Sequence, residues 1–163
     1  MTYVGSENQS NESIGPAGVT YTVHIYKEDS GLTGSEIAEM LGEDPERVFK
    51  TLVTIGNSGR PFVFVALVSK ELDLKRAAAS VSEKSVSMIP ASRLQLVTGY
   101  VHGGCSPFSM KHPFVTVVDS SVNDGDCIYV SAGKVGLQIE LRVDDFLTIG
   151  RFKIANIARE VSK

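Results

Sequence analysis

Cysteine is scarce in this chain: Cys105 and Cys127 are the only two in 163 residues. They give no disulfide framework, and a reducing, cytoplasmic setting is expected. Positive charge shows no excess either, since 16 Lys and Arg against 19 Asp and Glu leave a net charge of −3. That excludes holding a nucleic acid by bulk electrostatics, so such a partner must meet a local basic face or be touched at one end only. DNA is not expected. No apolar run approaches the ~20 residues of a membrane span, and the first residues lack the charged-then-apolar form of a signal peptide, so no membrane partner is expected. Repeats, low-complexity tracts, nucleotide-binding loops and regular metal-ligand spacings are all missing. No histidine or carboxylate is tied to a serine by triad spacing. Neither a cofactor nor a metal is expected.

What is present suits one domain. Residues 1–18, rich in Ser, Asn, Gly and Glu, read as a flexible segment, and 19–163 as the folded domain. Thr20–Tyr26 alternates like a strand. Thr33 or Ser35 caps a helix through Leu41, with Ile37, Met40 and Leu41 as its apolar stripe and Gly42 as its stop. Pro45 starts one more turn. Strands at 49–55 and 62–68 flank a turn at Gly56–Gly59, and the second is apolar throughout, as a central strand requires. Asp73 caps a helix whose Leu74, Ala77, Ala78 and Val81 face inward. Pro90 opens another that Gly99 ends. Strands are expected at 84–88, 116–119, 127–131 and 137–141, then a helix over 144–149 and a helical C-terminal tail. The irregular interleaving argues for one compact α+β domain with a mixed sheet.

Three segments stand out. Val101-His102-Gly103-Gly104-Cys105-Ser106-Pro107 pairs two glycines, able to present bare N–H groups to a ligand, with a direction-fixing proline. Val48-Phe49-Lys50-Thr51-Leu52-Val53 sets a lysine in a strand-like run. There Lys50 either snorkels to water or enters a pocket and fixes an anionic or carbonyl oxygen. Ser131, Gly133 and Gln138 belong to a second small-residue loop, Tyr129–Leu141, between two strands.

In order and spacing these segments resemble the YbaK-type aminoacyl-tRNA deacylases, relatives of the editing domain inserted in bacterial prolyl-tRNA synthetases. The resemblance covers about residues 20–157. It implies a strongly curved, barrel-like sheet and an editing activity that clears a small amino acid, cysteine first, from mischarged tRNA, with tRNA(Pro) the leading carrier. Lys50, Gly103 and Gly104 would be catalytic, the glycine N–H groups receiving the ester oxyanion. Tyr26, Thr51, Ser131, Gly133 and Gln138 would line the substrate pocket. In family members acting on cysteinyl-tRNA, the substrate's own thiol is thought to attack. This chain departs at Gln138, where cysteine-specific relatives carry an aspartate able to pair with the substrate ammonium group; an amide can only hydrogen-bond it. The partners implied are the aminoacyl-tRNA acceptor end and prolyl-tRNA synthetase. Lys111 and His112, just past the glycine loop with no acidic neighbour, are the candidate tRNA phosphate contacts.

Other readings use the same residues. A non-catalytic module could keep the fold and bind aminoacyl-tRNA or a synthetase. A hydrolase could use Cys105 as nucleophile with His102 as its partner. His102, Cys105 and His112 could contribute to a zinc site, though without a fourth ligand. Cys127 reads as a small core residue.

Overall fold

The computed structural model describes residues 2–5 (backbone alone), 18–26, 33–101, 104–108 and 114–161. The strands are β1 (Thr2–Gly5), β2 (Tyr21–Ile25), β3 (Phe49–Gly56), β4 (Pro61–Leu67), β5 (Glu71–Leu72), β6 (Val86–Met88), β7 (Val115–Asp119), β8 (Cys127–Ser131), β9 (Leu137–Arg142), β10 (Lys153–Ala155) and β11 (Ala158–Arg159). The helices are α1 (Gly34–Leu41), α2 (Leu74–Ser80), α3 (Ala91–Thr98) and α4 (Val143–Gly150). Thr2–Gly5, inside the stretch expected to be flexible, pairs with β2.

Local chemistry explains the helix ends. The Thr33 hydroxyl accepts from the Glu36 N–H, and the Glu36 carboxylate accepts from the Thr33 N–H, a reciprocal cap. Gly42 ends α1 in the left-handed conformation, and Gly99 ends α3 likewise. Asp73 caps α2 by accepting from the Lys75 and Arg76 N–H groups. The expected inward stripes are only partly realised: in α1 it is Ala38 that is buried while Met40 is exposed, and in α2 Ala77 and Ala78 are buried while Leu74 is exposed.

The strands form an antiparallel sheet in the order β1-β2-β9-β8, a mixed sheet in the order β10-β7-β4-β3-β6 and a small pair β11-β5. Phe62 to Leu67 of β4 are all buried, as a central strand flanked by β3 and β7 must be. The expected barrel-like curvature is absent; neither sheet is closed or strongly curled. Among the described residues, Val48, just before β3, meets Tyr129 of β8 through a single bridge, and the free side of β3 then pairs with β6 only at Thr54–Gly56. A ladder that stops after one pair leaves two sheets facing each other instead of one sheet rolled up. The C-terminal segment is also not helical. It forms β10, parallel to β7, and β11, antiparallel to β5, because the edge of β7 offers backbone partners that an isolated tail cannot supply.

One face of the mixed sheet carries Phe62, Phe64 and Val117 against Ala77 and Ala78 of α2 and Ile157. The other face has two covers. Phe49, Val65 and Leu67 pack against Val23, Ile128 and Ile139 of the antiparallel sheet, whereas Val53 and Val63 pack against Leu94 of α3 and Cys105. Strand alternation puts Thr51 on this face between Phe49 and Val53. It therefore lies at the seam between the two covers.

Candidate active site

A cavity of about 910 Å³ lies at that seam. Lys50 and Thr51 of β3 line it, as do Tyr26, Ser131 and Gln138 from the antiparallel sheet and Leu94 from α3. Adjacent residues of one strand point to opposite faces, yet both Lys50 and Thr51 border the cavity. The reason is the uncovered edge of β3: among the described residues no strand pairs with 49–53 on the side away from β4.

Lys50 is half-buried, and its ammonium Nζ donates to the Lys70 carbonyl at 2.6 Å. Burial holds its pKa below the usual lysine range, opposed by the nearby Glu71 carboxylate. An ammonium has three N–H donors, so this one bond orients the amine and leaves two donors for a ligand. The Thr51 Oγ1 is buried and has no hydrogen-bond partner among the described residues. A buried hydroxyl without a partner is costly, which suits a group that meets a ligand.

On the opposite wall, Ser131 and Gln138 stand directly across from each other in the β8–β9 ladder. The Ser131 Oγ accepts from the Gly133 N–H at 3.2 Å, so it also shapes its own turn. Gly133 has φ +93°, and a Cβ there would come within 2.9 Å of the Tyr100 ring. Only glycine fits, and the residue serves as the seat of Tyr100, whose hydroxyl donates to the Phe108 carbonyl at 2.6 Å. Tyr26 is buried, and its N–H donates to the Gly136 carbonyl at 2.9 Å, tying the end of β2 to the second loop.

Gly104 packs against that loop too, with Val135 N 3.2 Å from where its Cβ would be. Its N–H donates to the Val101 carbonyl at 2.9 Å. An oxyanion contact from residue 104 therefore requires that bond to be released. Gly103, Lys111 and His112 lie outside the described residues, as does His102. Cys105 borders the cavity, but burial pushes its thiol up to about 11. A thiol held neutral is a poor nucleophile, which argues against a Cys105-centred hydrolase. Cys127 is half-buried rather than fully in the core.

Glu43 is not among the residues expected at the site. The left-handed Gly42 turns the chain back under β9, and the Glu43 N–H donates to the Ala38 carbonyl at 2.9 Å. Its buried carboxylate meets the Gln138 amide. With the amide nitrogen turned toward it, the orientation that matches donor to acceptor, Gln138 donates to both carboxylate oxygens at 2.8 and 2.9 Å. Burial, reinforced by the Glu140 charge, pushes Glu43 up to about 7. A loop acid after a helix-stopping glycine carries no sequence signal of burial.

The chain is 42% identical over 126 residues, 77% of each chain, to EbsC of Enterococcus faecalis, described as a candidate Cys-tRNA(Pro)/Cys-tRNA(Cys) deacylase. Its fold is similar to the crystal structure of a candidate trans-editing enzyme for prolyl-tRNA synthetase, with TM-score 0.75, 20% identity and coverage of 84% of this chain and 85% of that one. It is likewise similar to the hypothetical protein APE2540, with TM-score 0.79, 22% identity and coverage of 87% and 93%. Residues 28–149 match the aminoacyl-tRNA editing domain, and the chain belongs to that family.

Proposed function

We propose that this chain is a trans-acting deacylase that frees mischarged tRNA of a small amino acid, cysteine foremost, with tRNA(Pro) as the carrier and a cytoplasmic setting. The observation that carries the reading is Lys50: a half-buried amine anchored by one of its three N–H groups at the wall of a cavity whose far wall bears Ser131 and Gln138. The aminoacyl ester is already activated, so the site needs to hold it and stabilise charge developing on its carbonyl oxygen rather than supply a strong nucleophile. Lys50 donates to that oxygen, with the Gly103–Gly104 loop as a second source of donors. Thr51, Tyr26, Ser131, Gly133 and Gln138 bound the amino-acid and ribose end.

The attacking group adds to the carbonyl carbon, the bond to the ribose oxygen breaks, and that oxygen leaves with a proton. Attack by water yields the free amino acid. Attack by the thiol of a cysteinyl group forms a C–S bond and releases a thiolactone. The net charge of −3 suits contact with the acceptor end alone, with Lys111 and His112 at its phosphates. The fold shared with a candidate prolyl-tRNA synthetase trans-editing enzyme favours that synthetase as a partner.

The test is release of labelled amino acid from Cys-tRNA(Pro), Ala-tRNA(Pro), Ser-tRNA and Pro-tRNA(Pro), with the product identified by mass. Release above the spontaneous rate from a small-residue tRNA, with Pro-tRNA(Pro) spared, is expected. Binding of charged tRNA without release from any of the four would replace this reading with a non-catalytic recognition module.

A further inference from the structure

Glu43 has no ion pair among the described residues, although it is buried beside a second acid. Glu140 of β9 is paired with His24 of β2 at 2.8 Å, and Tyr129 of β8 stands close to both acids, its hydroxyl pushed up to about 12 by burial and by their charges. Glu43 itself is met by the Gln138 amide nitrogen at both oxygens. In that orientation, which matches donor to acceptor when Glu43 is ionised, the amide oxygen points away from the carboxylate. Gln138 lines the cavity, whereas Glu43 sits behind it.

With Glu43 ionised, as it is above about 7, the pair presents an acceptor at the cavity wall backed by a negative charge. An ammonium group donating to the amide oxygen would feel that charge through the polarised amide, in surroundings where water screens little. A neutral, acylated nitrogen would gain no such attraction. A lone glutamine has no preference for which end of its amide faces the cavity. A carboxylate behind it imposes one.

Building on the deacylase reading, we propose that Glu43, acting through Gln138, is the positioning residue that gives this pocket its preference for a substrate with a free α-ammonium group.

The experiment compares kcat/KM for the aminoacyl-tRNA cleared fastest and for its N-acetylated form, at a pH above about 7 where Glu43 is ionised, in wild type, Glu43→Gln and the exchange variant Glu43→Gln/Gln138→Glu. The ratio favouring the free amine is expected to fall about tenfold in Glu43→Gln, mainly through KM, and to recover in the exchange variant. An unchanged ratio, or equal slowing of both substrates, would overturn the proposal by reducing Glu43 to a packing role. Binding of amide-linked 3′-alanylamino-3′-deoxyadenosine and its N-acetyl derivative, measured by calorimetry, separates this from the deacylase reading. If no charged tRNA is cleaved but the free-amine analogue binds better in a Glu43-dependent way, only the deacylase reading fails. If cleavage occurs and neither analogue nor substrate shows that dependence, only the Glu43 proposal fails.

Discussion

Asp119 and Glu43 are both buried carboxylates, and their surroundings differ in a way that separates scaffold from site. Asp119, at the end of β7, accepts from the Ile157 and Ala158 N–H groups at 2.9 and 3.1 Å and from the Ser121 N–H and hydroxyl at 3.2 and 2.5 Å. Those donors come from the C-terminal segment and the turn after β7, so the carboxylate pins both to the mixed sheet. Glu43 receives one side-chain amide and faces a second acid. A buried charge with donors all round is part of the architecture. One so thinly supplied holds its proton to higher pH, as Glu43 does up to about 7.

The contrast breaks most visibly at Asp119. Asp119→Ala strands three backbone N–H groups and is expected to cost about 4 kcal/mol in urea denaturation, with turnover per folded molecule retained. A loss under about 1 kcal/mol would mean that the pinning contacts are replaced by solvent.

Glu43 should behave in the opposite sense. Its folded pKa, about 7, lies above the ordinary 4.5, so the native state keeps the proton to higher pH than the unfolded chain does. Stability contributed by this group is present below about 4.5 and is lost as pH rises to about 7. That loss amounts to about 3 kcal/mol. Glu43→Gln should flatten this slope and be the more stable protein at alkaline pH, measured by denaturation across the pH range. A parallel slope in both proteins would contradict the assignment.

How much of this was legible beforehand follows from the range of the interactions. Local rules narrow the α1 cap to Thr33 or Ser35 and place the Gly42 and Gly99 stops and the β3–β4 hairpin, because each depends on residues a few positions apart. The Glu43–Gln138 contact depends on α1 meeting β9, and nothing in either segment announces the other. The C-terminal strands were missed for the same reason: they pair with β7 and β5, and Asp119 secures the connection between them. The expected barrel does not close, and among the described residues the lone Val48–Tyr129 bridge joins the end of β3 to β8, a contact that no periodicity encodes.

Two smaller perturbations sharpen the division. Gly133→Ala forces a side chain into the left-handed region and against the Tyr100 ring, for an expected loss of about 2 kcal/mol in thermal or chemical denaturation. Cys105→Ala should leave the release rate within about twofold of wild type, since a thiol held neutral takes no part in the attack. A rate collapse there, in a folded protein, would return the cysteine to candidacy.

The most direct measurement is single-turnover release of labelled cysteine from Cys-tRNA(Pro) by wild type, Lys50→Ala and Asp119→Asn, at a temperature where all three are folded. The account predicts that Lys50→Ala loses about 10²–10³-fold in rate, the scale of removing one donor from a developing oxyanion, while Asp119→Asn releases cysteine at the wild-type rate. Wild-type release by Lys50→Ala would contradict the assignment of the seam cavity as the place where the ester is broken.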